Sequence, residues 1–255
     1  HVLGPGAPTD MIERIFARAA GNAFFLEEIL RAVAESRDAG AEQSGDVDVP
    51  ETVLAMVERR LDALAPDARR VLRAASVFGE TFWRSAVLAH VGAAANPISR
   101  PEDWLRDLVA RELVTQRATS RFAGETELVF RHALVRDAAY SMLTDDDRAL
   151  AHRLAGEWLE ARGERDAAVL AEHFDRGGEP GRAVGFYARA AAQALEGNDL
   201  SRVLALAERG VALGAAGTSL GELQRLRAEA FRWRGRVPES EACAREATAL
   251  LEPGT

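Results

Sequence analysis

The sequence contains no lysine, and this absence excludes whole classes of phosphate chemistry. All 32 basic residues are arginine. A P-loop needs a lysine to reach the β- and γ-phosphates of a nucleotide, and a protein kinase needs a strand lysine together with an HRD-type loop. These 255 residues can build neither arrangement. The sequence therefore predicts a non-catalytic segment, and no residue is assigned a catalytic role.

Cysteine, aromatic residues and long apolar runs are scarce as well. The single cysteine, Cys243, excludes an internal disulfide and any metal site built from several cysteines, a pattern typical of the reducing cytoplasm. No apolar run approaches the ~20 residues that a membrane-spanning helix needs. Aromatic residues make up only 6% of the chain, and the dominance of alanine, leucine, arginine and glutamate favours helices over sheets. We therefore expect a mostly α cytoplasmic protein without a membrane partner.

Charge and histidine spacing argue against nucleic-acid and metal binding. Acidic residues outnumber basic ones, and the net charge of -8 does not suit a general nucleic-acid-binding surface. The internal histidines lack the HExxH spacing of a zinc-binding helix. We interpret them as scattered surface or packing residues and predict no metal site: His90, His132, His152 and His173.

Glycine, proline and acidic stretches divide the chain into four predicted parts. Residues 1–38 form two short helices that meet at Gly21, and residues 39–49 are a linker without hydrophobic periodicity. Residues 50–143 hold short helices followed by two β-like runs, and residues 144–255 are helical. The chain begins with neither an initiator methionine nor a signal peptide. We expect both ends to be cuts within a longer chain.

Residues 50–143 have the element order of a winged helix-turn-helix. Helices are predicted over 50–64, 66–79, 81–92 and 100–114, and the β-like runs 113–119 and 126–131 would form the wing. The helix that would enter a DNA major groove is net acidic, because it has four carboxylates and only two basic residues, Arg106 and Arg111. Its apolar residues instead predict a buried stripe: Trp104, Leu105, Leu108 and Val109. We favour a packing module, with DNA binding as the weaker alternative.

Residues 144–255 carry a degenerate repeat. Asp145 to Asp147 supply the acidic first turn of a helix. Further on, AEHFDRGGEPGRA from Ala171 and AEAFRWRGRVPES from Ala228 share small, large apolar and glycine positions. Paired helices separated by Gly/Pro turns are typical of tetratricopeptide-like (TPR-like) hairpins, although the spacing departs from a strict 34-residue period. Such an array predicts a surface for a protein or peptide ligand.

His132 lies in FRHALVRDAAY, where the second β-like run meets a helix. One interpretation is a packing residue whose ring is hydrogen-bonded to a nearby carbonyl. The other is an imidazole at a helix N-terminus that donates to a phosphate oxygen. The residues alone leave both open.

Three stretches, in order, resemble one protein class. AAGNAFFLEEILRAV, VPETVLAMVERRLDALAPDARRVLRAASVFGETFW and FRHALVRDAAYSML are similar to the C-terminal half of STAND-class (NOD-like) signalling ATPases of bacteria. GNAFFLEEILRAVAE and LAEHFDRGGEPGRAVGFYARAAAQALEGNDLSRV most resemble the members fused to Ser/Thr protein kinases. Other members of this group carry a nucleotide cyclase or a LuxR-type DNA-binding domain.

The resemblance implies specific nucleotide contacts. Residues 1–38 would be the remnant of the ATPase lid, in which Gly21, Asn22 and Ala23 match a GxP-type turn beside the adenine, with Ala23 in place of the proline. His132 matches the histidine of an MHD-type motif that contacts the β-phosphate of ADP, with Ala133 in place of the acid. ADP or ATP is then the cofactor of the parent protein, held with its upstream NTPase core, and none is expected for this segment alone.

The predicted function is therefore a regulatory segment of a multidomain signalling ATPase, which couples nucleotide state through His132 to a TPR-like arm. An alternative from another class is a stand-alone TPR-like scaffold that binds proteins. A winged-helix regulator that binds DNA is the third interpretation, and the acidic helix over 100–114 predicts no binding to random duplex.

Overall fold

The computed structural model describes residues 26, 27, 29, 30, 53–93 and 98–251. This part of the chain is mostly helical with one small antiparallel sheet, which confirms the mostly α prediction. The predicted lid (1–38) and linker (39–49) lie almost entirely outside the described residues. Among the residues that the structure describes, no helix combines the length and apolar character needed to cross a membrane.

The elements follow one another closely along the chain. Their bounds are α1 (Val53–Asp62), α2 (Pro66–Ser76), β1 (Thr81–Trp83), α3 (Arg84–Gly92), α4 (Pro101–Ala110), β2 (Val114–Gln116), β3 (Glu127–Phe130), α5 (Ala133–Ser141), α6 (Asp145–Ala161), α7 (Ala167–Arg176), α8 (Pro180–Glu196), α9 (Leu200–Ala212), α10 (Gly217–Trp233) and α11 (Val237–Leu250).

Two compact units make up the chain, residues 1–69 and residues 70–255. The first contains α1 and the start of α2. Met56, Val57 and Leu61 of α1 are buried, as the 3.6-residue period of an amphipathic helix dictates. Arg69 forms an ion pair with Asp62 at 3.5 Å across the turn between the two helices. The second unit contains the sheet and all later helices.

The sheet has the order β1-β3-β2, so the last strand in sequence, β3, lies between β1 and β2. Thr81, which was predicted to begin a helix, instead pairs with Val129, and Trp83 pairs with Glu127. The helix prediction over 81–83 is therefore wrong, because this pairing partner lies more than 40 residues away and leaves no periodic signal in three residues. The predicted β-like runs 113–119 and 126–131 contain β2 and β3.

The two faces of this sheet have different neighbours. Phe82 and Phe130 lie on one face with ring centroids 5.3 Å apart. Trp83 lies on the other face, where it stacks on Trp158 of α6 at 5.4 Å. Alternate side chains of a strand point to opposite faces, and both faces here bury aromatic rings. The sheet is therefore packed on both sides.

Helix α4 buries less of its predicted stripe than expected. Leu105 and Leu108 are buried and Trp104 is half-buried, but Val109 is 37% exposed. Val109 adjoins the end of the helix at Ala110, where the backbone turns toward β2. The stripe prediction is thus correct at its centre and wrong at Val109.

Helices α6 to α11 pack in succession, each against the next, and α8 also contacts α10. The turns repeat one geometry: Glu179 N–H donates to Phe174 O, and Arg236 N–H donates to Phe231 O, both at 2.9 Å. This bond from residue i+5 back to residue i closes a helix end of the Schellman type. The geometry agrees with the repeated stretches identified in the sequence.

A polar contact near the surface joins three of these helices. Arg209 of α9 makes two hydrogen bonds, of 2.7 and 2.8 Å, to Asp175 of α7, which also accepts one from the Tyr187 hydroxyl of α8 at 2.9 Å. Burial acts to raise the pKa of Asp175, and the hydrogen bonds from Arg209 and Tyr187 more than offset it, so the pKa lies below its usual value. Asp175 therefore stays ionised well into the acid range.

Candidate functional site

His132 is the N-cap residue of α5. Its backbone is extended, with φ −139° and ψ 136°, and its carbonyl accepts a hydrogen bond from Val135 N–H at 3.1 Å. The half-buried ring does not act as a side-chain cap. The first turn of α5 has no acidic residue, so nothing there opposes a negative ligand at the positive end of the helix. The phosphate interpretation of His132 stays a prediction.

The strand before His132 fixes where this helix begins. Arg131 pairs with Glu112 at 3.2 Å, and its N–H donates to Leu113 O at 3.1 Å. Because β3 is the central strand of the sheet, the start of α5 is held against the sheet. His132 thus has a fixed backbone position.

The other end of α5 contacts a chain of hydrogen-bonded side chains whose two histidines are buried. The Tyr140 hydroxyl lies 2.8 Å from His152 Nε2, and Arg176 Nη1 lies 3.2 Å from the Tyr140 oxygen. Nδ1 of His152 lies 3.1 Å from Nδ1 of His173. We call these four side chains the Tyr–His chain. It joins α5, α6 and α7.

Chemistry fixes one hydrogen bond of the Tyr–His chain: an arginine only donates, so the Tyr140 oxygen accepts from Arg176. The tautomers of the two rings set the other bonds, because a hydroxyl oxygen has two lone pairs. Either Tyr140 donates to His152 Nε2 and His152 donates to His173, or both bonds run the opposite way. Each imidazole is neutral in both arrangements, and protonation of both rings at once would place two N–H donors face to face between the Nδ1 atoms.

Burial keeps both imidazoles neutral. His152 and His173 are only 4% and 6% exposed. Desolvation by burial lowers the pKa of His152 to about 3, with His173 and Arg176 adding to the effect. Desolvation lowers the pKa of His173 to about 4, and Arg176 again contributes. These two histidines are packed as predicted, but the prediction that they are scattered is wrong for this pair.

The loop between β2 and β3 makes a second contact with α6. Glu125 of the loop accepts a hydrogen bond from Ser85 at 2.7 Å and forms an ion pair with Arg162, also at 2.7 Å. Arg121 of the loop forms an ion pair with Glu164 just beyond the end of α6. The carboxylates of Glu125 and Glu164 are almost fully buried. This loop is therefore held against the helical part of the chain.

The remaining predicted site residues fall elsewhere. Gly21, Asn22 and Ala23 lie outside the described residues. Within residues 53–93 and 98–251, no group of three histidine, cysteine or acidic side chains is arranged to hold a metal ion. His90 lies on α3 and takes no part in the hydrogen bonds of the Tyr–His chain.

The Tyr–His chain escaped prediction because its members are far apart in sequence. His152 and His173 are 21 residues apart, on two different helices. Each carries only the signal of a polar residue on an otherwise apolar helix face. Their meeting depends on how α6 packs against α7, which side-chain spacing within one helix does not reveal.

Comparisons of this chain with protein-family models, with curated protein sequences and with solved structures found no match. The resemblance described above therefore rests on the quoted stretches of sequence.

Proposed function

We propose that this chain is a non-catalytic regulatory segment of a multidomain signalling ATPase. In this proposal residues 50–143 are a winged helix, and residues 144–255 are TPR-like repeats that bind a protein or peptide. ADP or ATP is held by an upstream NTPase core with His132 as the sensor of its β-phosphate. The segment couples the nucleotide state to the repeats.

One observation supports the proposal: α5 joins the proposed sensor residue to the helices that follow it in the chain. His132 stands at its N-terminus, and Tyr140, near its C-terminus, hydrogen-bonds to His152 of α6. The nine residues of α5 span about 13 Å at 1.5 Å per residue. A helix of this length moves as a rigid rod, so a shift at one end reaches the other.

The coupling then works through packing. A β-phosphate at the N-terminus of α5 would be stabilised by the helix dipole and by a hydrogen bond from the His132 ring. This contact favours one position of α5, and with it one arrangement of Tyr140 against α6. Loss of the contact when ATP replaces ADP, or binding of a partner on the repeats, favours the other arrangement.

Nucleotide binding by the natural full-length protein tests the sensor. We expect His132→Ala to weaken ADP at least tenfold, because a hydrogen bond to a charged group contributes ~1.5–3 kcal/mol. Leu134→Ala is the matched control in the same helical turn, at a side chain that is 39% exposed, and should change ADP affinity less than twofold. Unchanged ADP affinity in His132→Ala would overturn the sensor role.

The transmission step has its own test. Tyr140→Phe removes the hydroxyl that bonds His152 but leaves His132 intact. We expect ADP affinity within twofold of the wild type, together with loss of the ADP-induced change in amide hydrogen exchange over residues 144–251. A Tyr140→Phe protein that still transmits this change would show that α5 does not couple the two regions.

The alternatives predict different results. A stand-alone protein-binding scaffold predicts that the natural full-length protein binds no nucleotide. The DNA-binding alternative has less support, because the loop that would serve as a wing is engaged by α6 through Glu125 and Arg121. The helix that would read bases, α4, has Glu102 and Asp103 in its first turn, and these carboxylates repel phosphates.

A further inference from the structure

Among the described residues, the two most exposed large apolar side chains lie at the turn between α10 and α11. Trp233 is 66% exposed and Val237 is 57% exposed, whereas the next most exposed side chains of this class reach only 39%. Pro238, beside Val237, is exposed as well. Apolar side chains that are grouped on a surface, with a tryptophan among them, are typical of a site that a partner covers.

Arginines alternate with these apolar side chains. The sequence from 232 to 238 is RWRGRVP, and Arg232, Arg234 and Arg236 are all exposed. We call residues 232–238 the Trp233 patch. Tryptophan and arginine are enriched among the side chains that contribute most to binding between proteins, whereas lysine and acidic residues are depleted there. The composition of the Trp233 patch is therefore that of a protein interface.

The backbone of the Trp233 patch is held in one conformation. Arg236 N–H donates to Phe231 O at 2.9 Å, and Arg234 N–H donates to Ala230 O at 3.2 Å. Gly235 between them has a φ of 72°. The guanidinium carbon of Arg236 lies 5.0 Å from the ring centroid of Phe231, which is itself buried. A partner therefore meets a turn that is already ordered, and this lowers the entropy cost of binding.

The arginines of the Trp233 patch have more donors than the described residues satisfy. Each guanidinium has five N–H groups. Arg232 forms one long ion pair with Glu229, at 3.8 Å, and Arg236 donates to one oxygen of Glu239. Within the described residues the Arg234 side chain meets no carboxylate, and its one hydrogen bond, at 3.5 Å, goes to a serine hydroxyl of α9. The remaining donors are exposed and available to the acceptors of a partner.

Charge indicates which kind of partner supplies these acceptors. The three arginines are paired with two carboxylates, so the Trp233 patch has one positive charge in excess, although the whole chain has a net charge of -8. A nucleic acid, with one charge per ~1.7 Å of duplex, is repelled by the chain as a whole. A protein segment with a few carboxylates is repelled far less, and each carboxylate can accept two hydrogen bonds from one guanidinium.

We propose that the Trp233 patch binds an acidic segment of a partner protein, in which glutamate or aspartate residues flank an apolar side chain. The apolar side chain packs on Trp233 and Val237, and the carboxylates accept hydrogen bonds from Arg232 and Arg234. This inference names the partner of the repeats, so it rests on the part of the proposed function that gives residues 144–255 a protein or peptide ligand. It depends neither on His132 nor on a nucleotide.

Selection from a phage-displayed library of random dodecapeptides, with the wild-type chain as bait, tests the specificity. We expect the enriched peptides to have acidic residues on both sides of a leucine or an aromatic residue, and Trp233→Ala to abolish their enrichment. Peptides without acidic residues, or peptides that bind wild type and Trp233→Ala alike, would overturn the inference and leave the peptide-binding role of the repeats intact. Enrichment of no peptide at all would contradict that role as well.

Fluorescence anisotropy of an enriched, labelled peptide measures what each side chain contributes. We expect Trp233→Ala to weaken binding at least tenfold and Arg234→Gln to weaken it at least threefold. Arg106→Gln is the matched control, because it removes the same charge from an exposed arginine of α4, and it should change the affinity less than twofold. Equal affinities of Arg234→Gln and Arg106→Gln would show that the patch does not recognise the acidic residues.

Tryptophan emission reports the contact without any substitution. Trp233 is the one exposed residue among the four tryptophans of the chain, all of which the structure describes. We therefore expect the emission of the wild-type chain to shift to shorter wavelength when the unlabelled peptide binds and covers Trp233. An unshifted spectrum at saturating peptide, or displacement of the peptide by a single-stranded oligonucleotide at lower concentration than the peptide itself, would overturn the inference.

Discussion

Acidification below pH 6.5 should destabilise this protein, because burial keeps His152 and His173 of the Tyr–His chain neutral in the fold. In the folded protein the pKa values of His152 and His173 are about 3 and about 4, below the ordinary 6.5. The unfolded chain takes up protons from pH 6.5 downward while the folded chain stays neutral. The stability contributed by the neutral pair is thus complete above pH 6.5 and is lost as the pH falls toward 4.

The size of the effect follows from the pKa values. At pH 5 an unfolded histidine is about 1.5 pH units below its pKa, and each unit corresponds to 1.36 kcal/mol. Each histidine of the pair therefore costs ~2 kcal/mol, and the two together ~4 kcal/mol. Asp175, whose pKa is lowered, remains ionised in this window and adds nothing. A loss of this size is a large part of the ~5–15 kcal/mol that stabilises a typical domain.

Urea unfolding at pH 7, 6 and 5 measures this loss. The double variant His152→Leu, His173→Leu keeps apolar volume in the site and removes both titrating groups. Between pH 7 and pH 5, the free energy of unfolding of this variant should fall by about 3–4 kcal/mol less than that of the wild type. This difference does not depend on how stable the variant is at pH 7. Parallel pH curves for the two proteins would refute the inference that this pair stays neutral in the fold.

Two further predictions concern packing. Gly177→Ala should destabilise by ~1–3 kcal/mol, because its Cβ would lie 2.8 Å from Arg153 N, a backbone atom that cannot turn away. Gly185→Ala, in the middle of α8 with open space around it, should instead stabilise the protein by ~0.5–1 kcal/mol. A higher midpoint of thermal unfolding for Gly177→Ala than for Gly185→Ala would contradict the close approach of α6 and α7. Glu125→Gln should lower the free energy of unfolding by ~1–3 kcal/mol, because it weakens the ion pair and the hydrogen bond of a buried carboxylate. Asp103→Asn, in an exposed ion pair, should lower it by less than ~0.5 kcal/mol. Equal urea midpoints for these two variants would show that the loop contact contributes no stability.

The two matching turns could be predicted from the sequence because helix ends follow local rules. Gly178 and Gly235 occupy the same place in the two matching stretches, and both have φ of 72°, in the left-handed region that glycine adopts at low cost. Phe174 and Phe231, four residues earlier, are both buried. Such a turn needs a glycine and an apolar residue a few positions apart, so it can be predicted from a short stretch of sequence.

The strand at Thr81 shows where such local rules fail. Three residues carry too short a pattern to distinguish a strand from the first turn of a helix. Their state is decided by pairing with β3, from Val129 back to Glu127. Only the folded chain brings these segments together.

Short stretches of sequence are enough to predict the mostly α character, the start of α5 at Ala133, the acidic first turn of α6 and the positions of the turns, since each depends on residues within a few positions of one another. The contact of Tyr140, His152 and His173 in one chain follows only from the packing of the folded helices. These groups lie on different helices, and their meeting depends on how helix faces pack. Packing is a property of the whole fold, whereas turns and helix ends are properties of short segments.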